Sequence, residues 1–368
     1  MNKKLKYIGI IISILVLIII IVLNLNNGIK TLELKNVIKR SDIETIGTKY
    51  FCLGANIFTC TNEDIRLTNI DSNKILWSEK INLINIIYKK VDNKFAVASK
   101  YGYQIYVFNE KGKQIVFNIG KPIVDFTMNK KGYIAAIQED ENRNIITVYS
   151  DKGKKIIERI TYSDKSGRTM SCSLSDDNNY LAIAYLRADG SGINSELEFL
   201  NIKSEELIDN VYATQKYKDR IIYNIAYHSG NDLFALSDKE IFNINILKNI
   251  VKQEVLENNL DNVFLDESAN KFIALKANKQ SNKQRNLVIY DTKTLKVNSI
   301  ELKEDVTYLK YDKGNIMVNQ KNMLYCFNLS GNNIWKIKMP QNFSDILTVN
   351  KSKIVVISGN KNSVYEIR

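Results

Sequence analysis

Residues 133–153 read YIAAIQEDENRNIITVYSDKG. An apolar run carrying alanines, Tyr133–Ile137, comes first. A β-branched and aromatic run, Ile145–Tyr149, follows, and Ser150–Gly153 makes a tight polar turn. Runs of this kind are strands, and turns of this chemistry join them as hairpins. The alanine run returns at Phe95–Ala98, Leu181–Tyr185, Leu233–Leu236 and Phe272–Leu275. The second run returns at Ile105–Phe108 and Leu287–Tyr290, and the turn at Asn109–Gly112. A fourth run closes each unit.

A period of about forty residues, built from four strands, is the pattern of a propeller blade. Neighbouring blades cover both faces of each blade, so its strands need not alternate apolar and polar residues. The alanines suit inner strands that must approach closely. Helical solenoids share the period but need 3.6-residue patterning and helix caps, and this sequence has neither. Counting the centres of these runs gives Ile57, Ala96, Ala135, Ala182, Ala235, Ala274, Met317 and Val355. The expected fold is therefore an all-β propeller of eight four-stranded blades, with seven as the alternative if the first unit is irregular. The last unit has three strands and ends at Ile367; Thr31–Asn36 (TLELKN) can supply its fourth. Such pairing of the chain ends would close the ring and leave no open edge.

Upstream lies YIGIIISILVLIIIIVLNL, Tyr7 to Leu25, without a charge. As a helix it would be roughly 28 Å long, close to the hydrocarbon thickness of a bilayer. Lys3, Lys4 and Lys6 precede it, so the positive-inside rule keeps the N-terminus cytoplasmic and sends the bulk of the chain across. A cleaved signal peptide would have a shorter apolar region and a small-residue cleavage site. Here the run ends in Asn24, Leu25, Asn26 and Asn27. The expected order is a cytoplasmic N-terminus (1–6), a retained transmembrane anchor (7–25), a linker (26–30) and an extracytoplasmic propeller (31–368).

The chain has 368 residues, with 52 Lys and Arg against 40 Asp and Glu, a net charge of +12. Without Lys3, Lys4 and Lys6 there remain 49 cations against 40 carboxylates, or +9. That balance favours anionic neighbours such as wall polymers, lipid headgroups or acidic proteins. Abundant Lys, Asn and Ile, with 2 Pro and 1 His, also fit a general compositional bias. Cys52, Cys60, Cys172 and Cys326 are too sparse for a disulfide framework, and their spacing does not suit zinc. A turn at Leu53–Asn56 would put Cys60 beside residue 49 rather than beside Cys52.

Three stretches carry a resemblance. NLSGNNIWKIKM, Asn328 to Met339, resembles the turn and tryptophan strand of the quinoprotein (PQQ-type) propeller repeat, and NIDSNKILWSEKI, Asn69 to Ile81, is a weaker copy. LSDDNNYLAIAYL, Leu174 to Leu186, is similar to the strand-turn-strand of WD40-like and TolB-like propellers. The whole layout resembles an uncharacterised family of single-pass, membrane-anchored bacterial β-propeller proteins. The resemblance implies a fold and little chemistry.

Quinoprotein dehydrogenases imply a bound quinone and calcium, but only the blade repeat is shared. Trp77 and Trp335 fit blade packing better than a cofactor stack. His228 is the only histidine, at a strand end, and no Gly-x-Ser-x-Gly elbow accompanies it. Asp176-Asp177-Asn178-Asn179 lacks the ligand spacing of a calcium loop and reads as a turn. Gly190-Ser191-Gly192 has no following lysine or helix to hold phosphate. A non-enzyme without cofactor or metal is the expectation.

Two within-blade loops, Arg187–Ser195 and Lys276–Asn286, are enlarged. Two inter-blade loops, Thr161–Arg168 and Tyr212–Arg220, are long. Together they gather Lys165, Arg168, Arg187, Lys216, Lys218, Arg220, Lys276, Lys279, Lys283 and Arg285 on one face, with Tyr212 and Tyr217 as aromatic contacts. Functional residues often sit on loops held by a rigid scaffold. The reading is a membrane-anchored binding platform or scaffold for cell-envelope proteins. A binder of anionic cell-wall polymers is the alternative, and an enzyme of quinoprotein or hydrolytic type stands third. Nucleic acid is not an expected partner on the external side.

Overall fold

The computed structural model describes residues 29–39, 47–190, 192–203, 210–228, 231–248, 250–256, 260–266, 270–278, 281–339, 342–359 and 361–368. The apolar run 7–25 lies outside them, as do residues 1–6, 26–28 and Lys279. Among the described residues no helix is long and apolar enough to cross a membrane.

Eight antiparallel meanders form the eight four-stranded blades of an all-β propeller fold. Blade 1 contains Lys49–Leu53, Asn56–Cys60, Asp64–Asn69 and Ile75–Lys80. Blade 2 contains Ile86–Val91, Lys94–Ser99, Gln104–Asn109 and Gly112–Asn118. Blade 3 contains Ile123–Met128, Ile134–Asp140, Arg143–Tyr149 and Lys155–Tyr162. Blade 4 contains Arg168–Leu174, Tyr180–Asp189, Gly192–Asn201 and Val211–Lys218, and blade 5 contains Ile222–His228, Asp232–Ser237, Glu240–Asn245 and Ile250–Val255. Blade 6 runs through Leu260–Asp266, Lys271–Asn278, Ser281–Asp291 and Val297–Leu302. Blade 7 contains Val306–Asp312, Asn315–Gln320, Met323–Asn328 and Asn333–Lys338. Blade 8 contains Asp345–Asn350, Lys353–Ser358 and Lys361–Ile367, and takes Leu32–Lys39 as its fourth strand.

By compactness the chain divides into two units, one holding residues 1–40, 277–289 and 298–368, the other 41–276 and 290–297. In the larger unit, apolar clusters fill the space between successive blades. Ala96, Ala98 and Ile105 of blade 2 meet Phe126, Ile134 and Ala136 of blade 3. Ala182, Ala184 and Phe199 of blade 4 meet Ile225, Leu233 and Ala235 of blade 5. Trp77 stacks at 5.8 Å on Phe108 and donates its indole N–H to the Glu110 carbonyl at 2.9 Å. In the smaller unit, Trp335 and Ile337 of blade 7 pack with Ile354, Val356 and Tyr365 of blade 8. Both tryptophans therefore serve blade packing. Non-alternating strands follow from burial on two faces: Lys94–Ser99 is buried at every interior position.

All eight run centres fall in second strands, so eight blades are present and seven are not. The alanine runs do not open their blades, however. Before each lies a first strand; in blade 2 it is Ile86–Val91, none of whose residues is fully buried. Ile29 and Lys30, expected as linker, form a short strand parallel to Asn333–Lys338. Cys60 pairs with Lys49, as the turn at Leu53–Asn56 requires, and all four cysteines are buried and outside any disulfide.

Candidate functional site

The two middle strands of blade 4 are 10 residues each, longer than their counterparts in blades 1, 2 and 5. They pair from Tyr180↔Asn201 to Asp189↔Gly192. The segment expected as a loop at Arg187–Ser195 is thus mostly a prolonged hairpin. Tyr212–Lys218, also expected as loop, is the outer strand of the same blade, pairing Asn194↔Lys218, Ser195↔Tyr217 and Glu196↔Lys216. Its alternation of polar and aromatic residues is that of a strand with one covered face. Thr161–Arg168 holds a single helical turn, Ser163–Ser166.

Beside the paired ends of the hairpin and the outer strand lies a cleft of about 250 Å³, lined by Arg187, Asn194, Ser195, Glu196, Lys216, Tyr217 and Lys218. Four residues singled out in the sequence meet here: Arg187, Lys216, Tyr217 and Lys218. Three cations face one carboxylate, Glu196, whose oxygen lies 3.6 Å from the Lys216 ammonium. Lys216 and Lys218 are exposed. Tyr217 is half-buried, with its ring 5.0 Å from that of Phe242 and its hydroxyl donating to Gln215 at 2.8 Å. Burial pushes that hydroxyl above the ordinary tyrosine range. Ser195 ties the cleft floor to blade 5: its hydroxyl donates to the Arg220 carbonyl at 3.0 Å and accepts from the Ile222 amide at 2.8 Å.

Other expected site residues are committed elsewhere. Arg168 forks onto Glu139 at 2.9 and 3.3 Å. Arg220 forks onto Glu240 at 2.7 and 3.1 Å. Lys165 lies 5.8 Å from the Tyr162 ring centre. Tyr212 is not a free aromatic contact; it packs against Tyr180 and Phe199. Lys276 and Arg285 lie within strands of blade 6, as does position 283, and are not loop residues. Two of the arginines are thus balanced by carboxylates of other strands, and Lys216 faces Glu196 of its own blade. Glu139, Glu240 and Glu196 were not legible as site residues, because their partners are brought by register rather than by spacing.

Two further clefts are amide-rich. One of about 370 Å³ on blade 2 is lined by Asn82, Gln104, Asn118, Tyr103 and Tyr106, among others. One of about 580 Å³ at blades 7 and 8 is lined by Asn319, Asn322, Asn342, Tyr308 and Phe343, among others. His228 is buried, with Nδ1 3.1 Å from Asn270 Oδ1 and Nε2 3.1 Å from Asn243 Nδ2. Both ring nitrogens face amides, so this histidine lacks the carboxylate partner of a triad. Asp176–Asn179 is a turn in which Asp177 accepts from the Asn179 amide at 2.9 Å and Asn178 from Asn129 at 2.6 Å. Among the described residues no group of three His, Cys, Asp or Glu could hold a metal ion.

The chain is similar in structure to BamB from Moraxella catarrhalis, with 12% identity and a TM-score of 0.52 over 91% of this chain and 100% of that one. It is similar to Sqt1 from Saccharomyces cerevisiae, with 10% identity and a TM-score of 0.55 over 93% and 98%. For apo AztD from Citrobacter koseri the values are 12%, 0.51, 85% and 89%. At such identities the likeness is one of fold. No curated protein sequence matches the chain. A model of a family of unknown function (DUF5711) matches residues 28–367, and the chain belongs to that family.

Proposed function

We propose that the protein is a single-pass, membrane-anchored propeller whose external domain binds a partner without catalysing a reaction. The anchor is Tyr7–Leu25, with the N-terminus cytoplasmic and the propeller in the cell envelope. The observation that carries the binding reading is the prolonged hairpin of blade 4 with its cleft of Arg187, Lys216, Tyr217 and Lys218. Cations around a half-buried aromatic ring suit an acidic segment of an envelope protein, since Arg and Tyr are favoured anchors at interfaces.

The test is photo-crosslinking in intact cells, with a photoreactive residue at position 194, which lines the same cleft, and identification by mass spectrometry. A reproducible envelope protein, lost in Lys216→Glu/Lys218→Glu, is the expected result. Crosslinks unchanged by charge reversal would overturn the assignment of the cleft.

Binding of an anionic wall polymer is the second reading, supported by the net charge of +12. It requires that the purified protein retain such a polymer at low salt and release it as salt rises.

A further inference from the structure

The first described residues of the chain are fastened at three successive points. Ile29 and Lys30 pair in parallel with Lys336 and Ile337 of the outer strand of blade 7. Thr31 then exchanges two backbone hydrogen bonds with Arg368, each of 3.0 Å. Leu32–Lys39 continues as the outer strand of blade 8. An ion-pair quartet adds to the fastening: Lys35 reaches Glu33 at 2.9 Å and Glu366 at 3.0 Å, and Arg368 meets the same two carboxylates. The chain is therefore held from Ile29 onward.

Only Asn26, Asn27 and Gly28 separate Ile29 from the end of the apolar run at Leu25. Fully extended, that stretch reaches roughly 14 Å. The headgroup layer alone takes up roughly 5–7 Å on each side of the hydrocarbon. A span ending at Leu25 thus keeps the outer edge of blade 7 within a few residues' length of the lipid surface.

The composition of that edge suits the place. Paired residues of adjacent strands point to the same face, and alternate residues of one strand share a face. Ile29 therefore joins Lys336 and Lys338 on one face of the edge, while Trp335 and Ile337 point the other way into the core; the strand bulges between Asn333 and Trp335, and Ile334 at the bulge is exposed. Ile29 is 61% exposed and Ile334 40% exposed. Exposed isoleucines flanked by lysines are the composition of an interfacial membrane contact. Apolar side chains enter the headgroup boundary, and ammonium groups meet lipid phosphates.

We propose that the outer edge of blade 7, through Ile29, Ile334, Lys336 and Lys338, rests on the membrane surface and binds anionic lipid headgroups. This rests on the reading of Tyr7–Leu25 as a retained span. Blade 7 is then held at the membrane surface by a leash of three residues.

The test uses full-length protein in vesicles containing 30% phosphatidylglycerol, beside vesicles of phosphatidylcholine alone. Ile334→Cys carries an environment-sensitive fluorophore, with Asn332→Cys as a second site if the first variant folds poorly; the four native cysteines are buried. Nitroxide-labelled lipid is expected to quench the probe about twofold in the anionic vesicles. Lys336→Glu/Lys338→Glu is expected to lower the docked fraction about tenfold. An unquenched probe on protein that resists alkaline carbonate extraction would overturn the docking and leave the anchor intact. Protein released by carbonate would overturn the anchor and the docking together. Quenching equal in both vesicle types, and unchanged by the charge reversal, would overturn the headgroup contact.

Discussion

Gly167 lies so close to the Leu186 carbonyl that a Cβ on Gly167 would stand 2.3 Å from that oxygen. Its φ of +82° is also one that side-chain-bearing residues rarely adopt. The glycine ends the helical turn before blade 4, and Leu186 is the pairing partner of Arg168 at the base of the long hairpin. Asn144, buried, spans the same point: it donates to the Gly167 carbonyl at 2.8 Å and accepts from the Thr169 amide at 3.3 Å. Backbone and amide together fix where the hairpin leaves the blade.

Gly167→Ala is therefore expected to lower stability by about 2–4 kcal/mol, from backbone strain and steric displacement together. Urea denaturation of the two proteins measures it. A loss within the error of the extrapolation would mean that the loop moves aside at no cost.

Arg159 and Glu198 form a forked pair on blades 3 and 4, with contacts of 3.0 and 2.6 Å, and the Tyr185 hydroxyl donates to the same carboxylate at 3.3 Å. Glu198 is buried, whereas Arg159 keeps part of its side chain in solvent. Arg159→Ala leaves a buried carboxylate without its main counter-charge and is expected to cost about 2–4 kcal/mol. Tyr185→Phe removes one neutral donor and is expected to cost about 1 kcal/mol. A double-mutant cycle including Glu198→Gln reports the coupling, which should exceed that of an exposed pair such as Lys321–Glu304.

His228 gives stability a dependence on pH. Burial lowers its pKa below the ordinary 6.5, outweighing the favourable field of Asp232 and the bond to Asn270, with Lys293 lowering it and Asp291 raising it. The unfolded chain then binds the proton more tightly than the folded one. The contribution of neutral His228 is complete above pH 6.5 and declines as pH falls through the folded-state value. His228→Gln should flatten this part of the profile while costing about 1–3 kcal/mol at neutral pH. A wild-type midpoint that is constant as pH falls below 6.5 would contradict the assignment.

The cysteines should be silent in the folded protein. Burial pushes the Cys60 and Cys326 thiols up to about 12, and Cys172 higher still. At pH 8 a thiol of that kind is ionised to about one part in ten thousand, and the thiolate is the reacting form. Ellman's reagent is expected to find no reactive thiol in native protein and four after denaturation. A thiol reacting natively at the rate of free cysteine would show a blade that opens.

Several features of the site were legible only in part. Arg187, Lys216, Tyr217 and Lys218 line one cleft, because the end of the blade 4 hairpin pairs with the outer strand that carries the last three. They lie on strands rather than on the loops expected from the sequence. An outer strand such as Val211–Lys218, half in solvent, has the polar composition of a loop, and only its pairing identifies it. The neutralised arginines were not legible, because Glu139 comes from a different blade than Arg168, and Glu240 lies 20 residues beyond Arg220 in the blade that follows it.

The amino-acid sequence by itself determined the repeat, the eight second strands and the N-terminal strand that completes blade 8. Each is written in local apolarity, turn residues and period, which depend on neighbours along the chain. Tertiary structure alone decided which cations are paired, which aromatics are spent on the core, and how Ile29 and Lys30 join the outer strand of blade 7. These depend on the register between strands distant in sequence. A two-residue parallel pairing has too few residues to leave a pattern, and its partner is chosen only once the blades are built.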